Sequence, residues 1–125
     1  MESLEKLLLE DLMELRKMPH IYLGKKSLRD LESYIRGANI MYDKIVEEHN
    51  SFLRDFEYFV RREVGGGGAN SAYGMISNNA SSDEEAFDTY FELLDEYLTL
   101  SEDERKNLFS QWLKENFPSS EESAD

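Results

Sequence analysis

Apolar residues recur at alternating steps of three and four in this 125-residue chain, and this spacing restricts the fold more than any other feature. The clearest run contains Leu28, Leu31, Ile35, Ala38, Tyr42 and Ile45. Because an α-helix has about 3.6 residues per turn, such steps place successive side chains on one face. No segment shows the strict two-residue alternation of a half-buried strand. The spacing therefore predicts an all-α fold, a compact bundle of five to six helices.

The two prolines fall where helices are expected to stop. The first helix is predicted to end at Met18-Pro19, because the residue before a proline avoids the helical region. The last helix is predicted to end before Pro118. Residues 20–23 are predicted to be a short turn or extended segment that Gly24 closes, with a small β element there as the alternative.

Short polar signals mark the starts of three helices. Ser27 stands three residues before Asp30, and Ser101 stands three residues before Glu104, which is the spacing of a capping pair. Ser82 precedes a run of acidic residues that complement the positive end of a helix dipole. These signals predict helix N-termini at all three serines.

The chain is expected to form one domain over residues 1–118. The four consecutive glycines at 65–68 lose too much backbone entropy to lie inside a helix, and they are predicted to form a hinge within this domain. Residues 119–125 are short and polar, and they are predicted to form a disordered acidic tail.

Charge and composition exclude several classes of protein. The chain has 27 acidic and 14 basic residues, a net charge of −13, which opposes binding to nucleic acid or to an anionic membrane. It has no cysteine, and it shows neither a signal peptide nor a long apolar segment. These features predict a cytoplasmic protein whose partners are basic proteins, while its oligomeric state stays open.

The acidic residues concentrate in one predicted helix. Between Asp83 and Glu104 the chain has ten acidic residues and no Lys or Arg. Helical spacing places an apolar stripe opposite these acids, formed by Phe87, Tyr90, Phe91, Leu94 and Tyr97. We call the acidic side the carboxylate face, and it consists of Glu84, Asp88, Glu92, Asp95 and Glu96.

The carboxylate face has three interpretations. It is a solvated outer surface, it is neutralised within the fold, or it binds a basic partner. Like charges four residues apart destabilise a helix, and solvated helices usually alternate acidic with basic residues. Ten of the fourteen Lys and Arg residues lie between Arg16 and Arg62, so neutralisation within the fold is open. In a partner complex, Tyr90 and Tyr97 at the edge of the stripe are the expected anchors.

Catalytic signals are lacking in the sequence. The histidines His20 and His49 stand in no metal-binding spacing, and the glycine run has no following Lys-Ser/Thr pair of a phosphate loop. Carboxylate-rich helices bind metal pairs when their acids point into a bundle, whereas here the acids lie opposite the apolar stripe. We therefore expect no enzyme, no catalytic residue, no cofactor and no metal, with a carboxylate-metal enzyme as a distant third hypothesis.

Two stretches resemble a group of small bacterial immunity proteins. Residues 18–37, MPHIYLGKKSLRDLESYIRG, are similar to the pattern R-P-x-M-Y-L-G-x-x-S-L-x-x-L-x-x-F-I-x-G-Y. Residues 82–97, SDEEAFDTYFELLDEY, are similar to the pattern S-x-D-E-E-A-F-x-L-F-F-E-L-L-D-E-F of the same group. The chain departs from the pattern at Ala38-Asn39, where an aromatic residue often follows the glycine, and over 65–73, which replaces a stretch that usually holds a tryptophan.

The resemblance implies an immunity protein of a polymorphic or contact-dependent toxin system. Such a protein is a cytoplasmic antitoxin that neutralises its cognate toxin domain, expected here to be a basic nuclease, by stoichiometric binding. The residues that carry the resemblance are expected to form scaffold, and none is carried over as catalytic. The alternative function is a non-enzymatic, acidic helical module that regulates another basic protein.

Overall fold

The computed structural model describes residues 3–46, 52–65 and 71–117, which form seven helices and no strand. The helices are α1 (Ser3–Lys17), α2 (Pro19–Leu23), α3 (Leu28–Val46), α4 (Phe52–Val64), α5 (Ala72–Asn79), α6 (Asp83–Leu98) and α7 (Glu102–Asn116). The all-α prediction is confirmed, with one helix more than the upper end of the predicted range. Two predicted features lie wholly or partly outside the described residues. They are the hinge, at positions 66–68, and the tail at 119–125.

The additional helix is α2, a single turn where the sequence predicted a turn or an extended segment. Pro19 occupies its first position, where a missing N–H group leaves no hydrogen bond unmade. Gly24 ends it in the left-handed region with φ of 80°, and the Gly24 N–H donates to the carbonyl of His20. The alternative β element at 20–23 is therefore wrong, because the proline that ends α1 also begins α2.

The predicted caps are confirmed. The hydroxyl of Ser27 accepts a backbone N–H from the first turn of α3 at 3.2 Å. Ser82 accepts the N–H of Glu85 at 3.0 Å at the start of α6. At the start of α7, Ser101 and Glu104 each accept the other's backbone N–H, at 3.1 and 3.0 Å, which is a complete capping box.

The core is built around α4 and α6, and Phe56 lies at its centre. Phe56 is buried, and its ring meets Tyr90 edge-to-face at 5.1 Å and Tyr97 at 5.4 Å. Phe52 and Phe59 stack on either side of it along α4. Such edge-to-face pairs add about 0.5–1.5 kcal/mol each to the free energy gained by burying apolar area. This cluster fixes the inward face of α6, and thereby its outward face.

The last helix, α7, packs on α4 through aromatic rings and one arginine. Tyr58 contacts Phe109 at 4.9 Å and Trp112 at 5.1 Å between ring centroids. The guanidinium of Arg54 lies 5.0 Å from the centroid of the Phe109 ring. Only Leu108 of α7 is fully buried, so α7 is attached along one narrow stripe.

Candidate partner-binding surface

The seven residues predicted to contact a partner all lie on α6, but the structure divides them between two faces. The inward face buries the apolar positions of α6, which are Ala86, Phe87, Tyr90, Phe91, Leu93, Leu94 and Tyr97. All five residues of the carboxylate face are exposed. Their outward direction follows from the packing of the aromatic face against α3, α4 and α5.

The two tyrosines do not lie at the edge of the surface. Tyr90 is 5% exposed and Tyr97 is 2% exposed, and both rings pack against Phe56. Burial raises the pKa of both phenols above the ordinary value of 10.0, since the phenolate would lose its hydration. The expectation that these tyrosines anchor a partner is therefore wrong, because they occupy central positions of the buried stripe.

Asp95 is neutralised within the fold. The guanidinium of Arg16, from the end of α1, donates to both carboxylate oxygens of Asp95 at 2.9 Å. These hydrogen bonds raise the pKa of Arg16. The same guanidinium lies 5.3 Å from the centroid of the Phe91 ring. Because the side chains of Arg16 and Asp95 are 37% and 51% exposed, the pair contributes at most about 1 kcal/mol.

Asp88 is neutralised in the same way. The ammonium of Lys26, in the segment before α3, lies 2.7 Å from an oxygen of Asp88. It also lies 5.9 Å from the centroid of the Phe87 ring. Arg16 and Lys26 thus form two cationic positions along one edge of α6. Sequence reasoning missed both residues, although the basic excess between positions 16 and 62 was the signal that pointed to neutralisation.

Glu84, Glu92 and Glu96 are the unpaired carboxylates of this face, although Glu92 is attracted by Arg16 at longer range. None of the three forms an ion pair with a Lys or Arg in the part of the chain that the structure describes. Glu84 lies in the first turn of α6, where the helix dipole favours an acid. Glu96 lies in the last turn, where the dipole disfavours one, and no basic residue shares that turn. Apart from the longer-range attraction between Glu92 and Arg16, no described contact of these two carboxylates stabilises the fold.

The geometry offers no site of the metal-carboxylate type among residues 3–46, 52–65 and 71–117. Within these ranges no three His, Asp or Glu side chains are grouped to hold a metal ion. His20 is exposed on α2, and His49 lies outside the described residues. None of the helices described here is long and apolar enough to cross a membrane.

The outward side of α6 therefore presents three free carboxylates beside two cation-paired ones, on a rigid aromatic base. Comparisons with protein-family models, with curated proteins and with solved structures found no match for the chain.

Proposed function

We propose that this chain is an immunity protein that binds a basic toxin domain, expected to be a nuclease, and neutralises it by stoichiometric contact. The observation that carries the proposal is the set of free carboxylates at Glu84, Glu92 and Glu96. They project from a helix whose opposite face is buried in the core, and none of them forms an ion pair with a described Lys or Arg, although Arg16 attracts Glu92 at longer range. Glu96 opposes the helix dipole, and a carboxylate that does not stabilise the fold is what a charged partner would select.

The resemblance to immunity proteins supports the proposal through the positions of its motif residues. Pro19 starts α2, Gly24 ends it in the left-handed region, and buried Ser27 caps α3. Phe87 and Phe91 lie in the core. Each of these residues shapes the scaffold, so the shared pattern concerns the fold, and the surface is free to differ between partners.

Inhibition by such a surface needs no chemistry of its own. A nuclease must hold phosphates, so its cleft is basic, and an acidic protein is steered toward it at long range. Once bound, the carboxylates occupy positions where the phosphates of a nucleic acid would lie, or the domain blocks access by its bulk. In both cases one chain inactivates one toxin domain.

The proposal predicts that a neighbouring gene encodes a large protein whose C-terminal domain is the toxin, and the direct test is a titration of the chain into that domain. We expect nuclease activity to fall linearly and to vanish at one equivalent, with a one-to-one complex in size-exclusion chromatography. A chain with Phe56→Ala, which weakens the core, serves as the control for non-specific effects. Full nuclease activity in excess of the chain would refute the proposal. The alternative, an acidic module that regulates another basic protein, would then account for the same carboxylates.

A further inference from the structure

A second acidic surface lies along α1, between Lys6 and Glu14. It is an open groove of about 730 Å³ between α1, Tyr42 of α3 and Leu98 at the end of α6. We call it the tyrosine groove. It is lined by Leu7, Glu10, Asp11, Glu14, Tyr42 and Leu98, together with Lys6 and two further apolar residues of α1.

The floor of the tyrosine groove is held by a fixed carboxylate. The hydroxyl of Tyr34 donates to Asp11 at 2.6 Å, and the ring of Tyr34 meets Tyr22 edge-to-face at 6.2 Å. Tyr42 lies on the same face of α3 two turns further on, and burial together with Asp11 raises its pKa. Asp11 is thus held between two phenols, and its position is set before any ligand arrives.

The groove combines exposed apolar surface with unbalanced charge. Leu7 is 46% exposed, although it lies beside the apolar side chains of Tyr42 and Leu98. The lining has three carboxylates and one ammonium, and none of the three carboxylates forms an ion pair with a described Lys or Arg. A groove that combines exposed apolar side chains with carboxylates complements an element that is apolar on one side and basic on the other.

The length of the groove along α1 matches a helix of two to three turns. From Lys6 to Glu14 the lining of α1 rises about 12 Å, which matches a helical segment of roughly eight residues. We propose that the tyrosine groove binds a basic amphipathic helix of a partner protein. Leucine-like side chains of that helix lie against Leu7 and Tyr42, and its Lys or Arg residues reach Glu10 and Glu14. The groove proposal depends on the proposed function in one respect, because the toxin domain is the expected source of the helix.

The test uses a synthetic probe, so that it does not depend on the toxin. The probe is a peptide of about 14 residues built from Lys and Leu, with the leucines on one helical face. Its control has the same composition, with the leucines spread around the helix. The probe is titrated into the isotope-labelled full chain at low salt, and backbone amide shifts and the dissociation constant are measured. We expect the largest shifts at Leu7, Glu10, Asp11, Glu14 and Tyr42, and weaker binding of the control peptide.

Matched variants separate the groove from general attraction to an acidic protein. Leu7→Arg is paired with Leu113→Arg on α7, because both leucines are partly exposed in helices. Glu14→Arg is paired with Glu115→Arg, since both glutamates are exposed near a helix C-terminus. We expect each groove variant to raise the dissociation constant of the probe about tenfold. Each α7 variant is expected to change that constant by less than about twofold. Circular dichroism and thermal unfolding verify that all four variants are folded.

Several results would overturn the proposal. They are shifts centred on Glu84 and Glu92, equal losses from the groove and α7 variants, equal binding of the two peptides, or no binding. Failure of the proposed function is a separate observation, because it is read from toxin activity. If the chain binds the probe in the groove but leaves the toxin active, the groove proposal stands and the immunity proposal is refuted.

Discussion

Neutralising Glu92 and Glu96 together is expected to stabilise the protein. Glu92 has Asp88 four residues before it and Glu96 four residues after it, and each like-charge pair at this spacing costs about 0.2–0.5 kcal/mol. Glu96 also lies at the negative end of the α6 dipole, at a further cost of about 0.3–1 kcal/mol. Attraction between Glu92 and Arg16 offsets part of this gain. We therefore expect Glu92→Gln/Glu96→Gln to raise the free energy of unfolding by about 0.5–1 kcal/mol.

Urea unfolding, followed by circular dichroism at low ionic strength, measures this difference. In about 1 M salt the Debye length falls to about 3 Å, so most of the gain is expected to disappear. The matched control is Glu32→Gln on α3, whose carboxylate pairs with Arg36 four residues on. That variant is expected to lose about 0.3–0.5 kcal/mol, because it removes an attraction.

A stability loss in Glu92→Gln/Glu96→Gln at low salt would refute this reasoning. It would mean that the two carboxylates support the fold, and the argument that they serve a partner would lose its basis. A gain that persists unchanged in high salt would show that the effect has a cause other than charge repulsion.

Three further predictions follow from the core, the caps and the phenols. Phe56→Ala should lower the free energy of unfolding by about 3–5 kcal/mol, because it removes the ring at the centre of the core; a loss below about 1 kcal/mol in urea unfolding would contradict that placement. Ser82→Ala should cost about 1 kcal/mol and reduce the helical circular dichroism signal, and an unchanged midpoint would show that this cap is dispensable. Burial and the hydrogen bond to Asp11 raise the pKa of Tyr34, so its folded state favours the neutral phenol. The stability that the folded protein gains from this preference is fully present below the ordinary pKa of 10.0, and it is lost as pH rises above that value. Tyr34→Phe should therefore flatten the decline of stability above about pH 10, and parallel pH profiles for the two proteins in that range would contradict it.

Helix identity and helix starts were predictable because their causes are local. The reciprocal bonds of Ser101 and Glu104 depend on four consecutive residues, and so does the cap at Ser82. The segment 20–23 was mispredicted for a local reason as well. Pro19 was interpreted only as the end of α1, although proline equally suits the first position of a new helix.

The sequence could not show which residues of the carboxylate face are paired with cations and which are not. Arg16 and Asp95 are 79 positions apart, and only the folded chain brings the end of α1 beside α6. Lys26 and Asp88 are also far apart in the sequence, and they meet because the segment before α3 lies beside α6. The burial of Tyr97, in contrast, follows from its place seven residues after Tyr90 on the apolar stripe. The sequence pattern contained that information, and the edge position assigned to the tyrosines departed from it.

The most direct test of the account compares association rates with the neighbouring gene's toxin domain. The variant Glu84→Lys/Glu92→Lys/Glu96→Lys reverses the free carboxylates and leaves Asp88 and Asp95 paired with their cations. We expect its association rate constant to fall about tenfold or more at low salt, and to approach that of the unmodified chain at high salt. Equal association rates at low salt would contradict the claim that these carboxylates serve a basic partner.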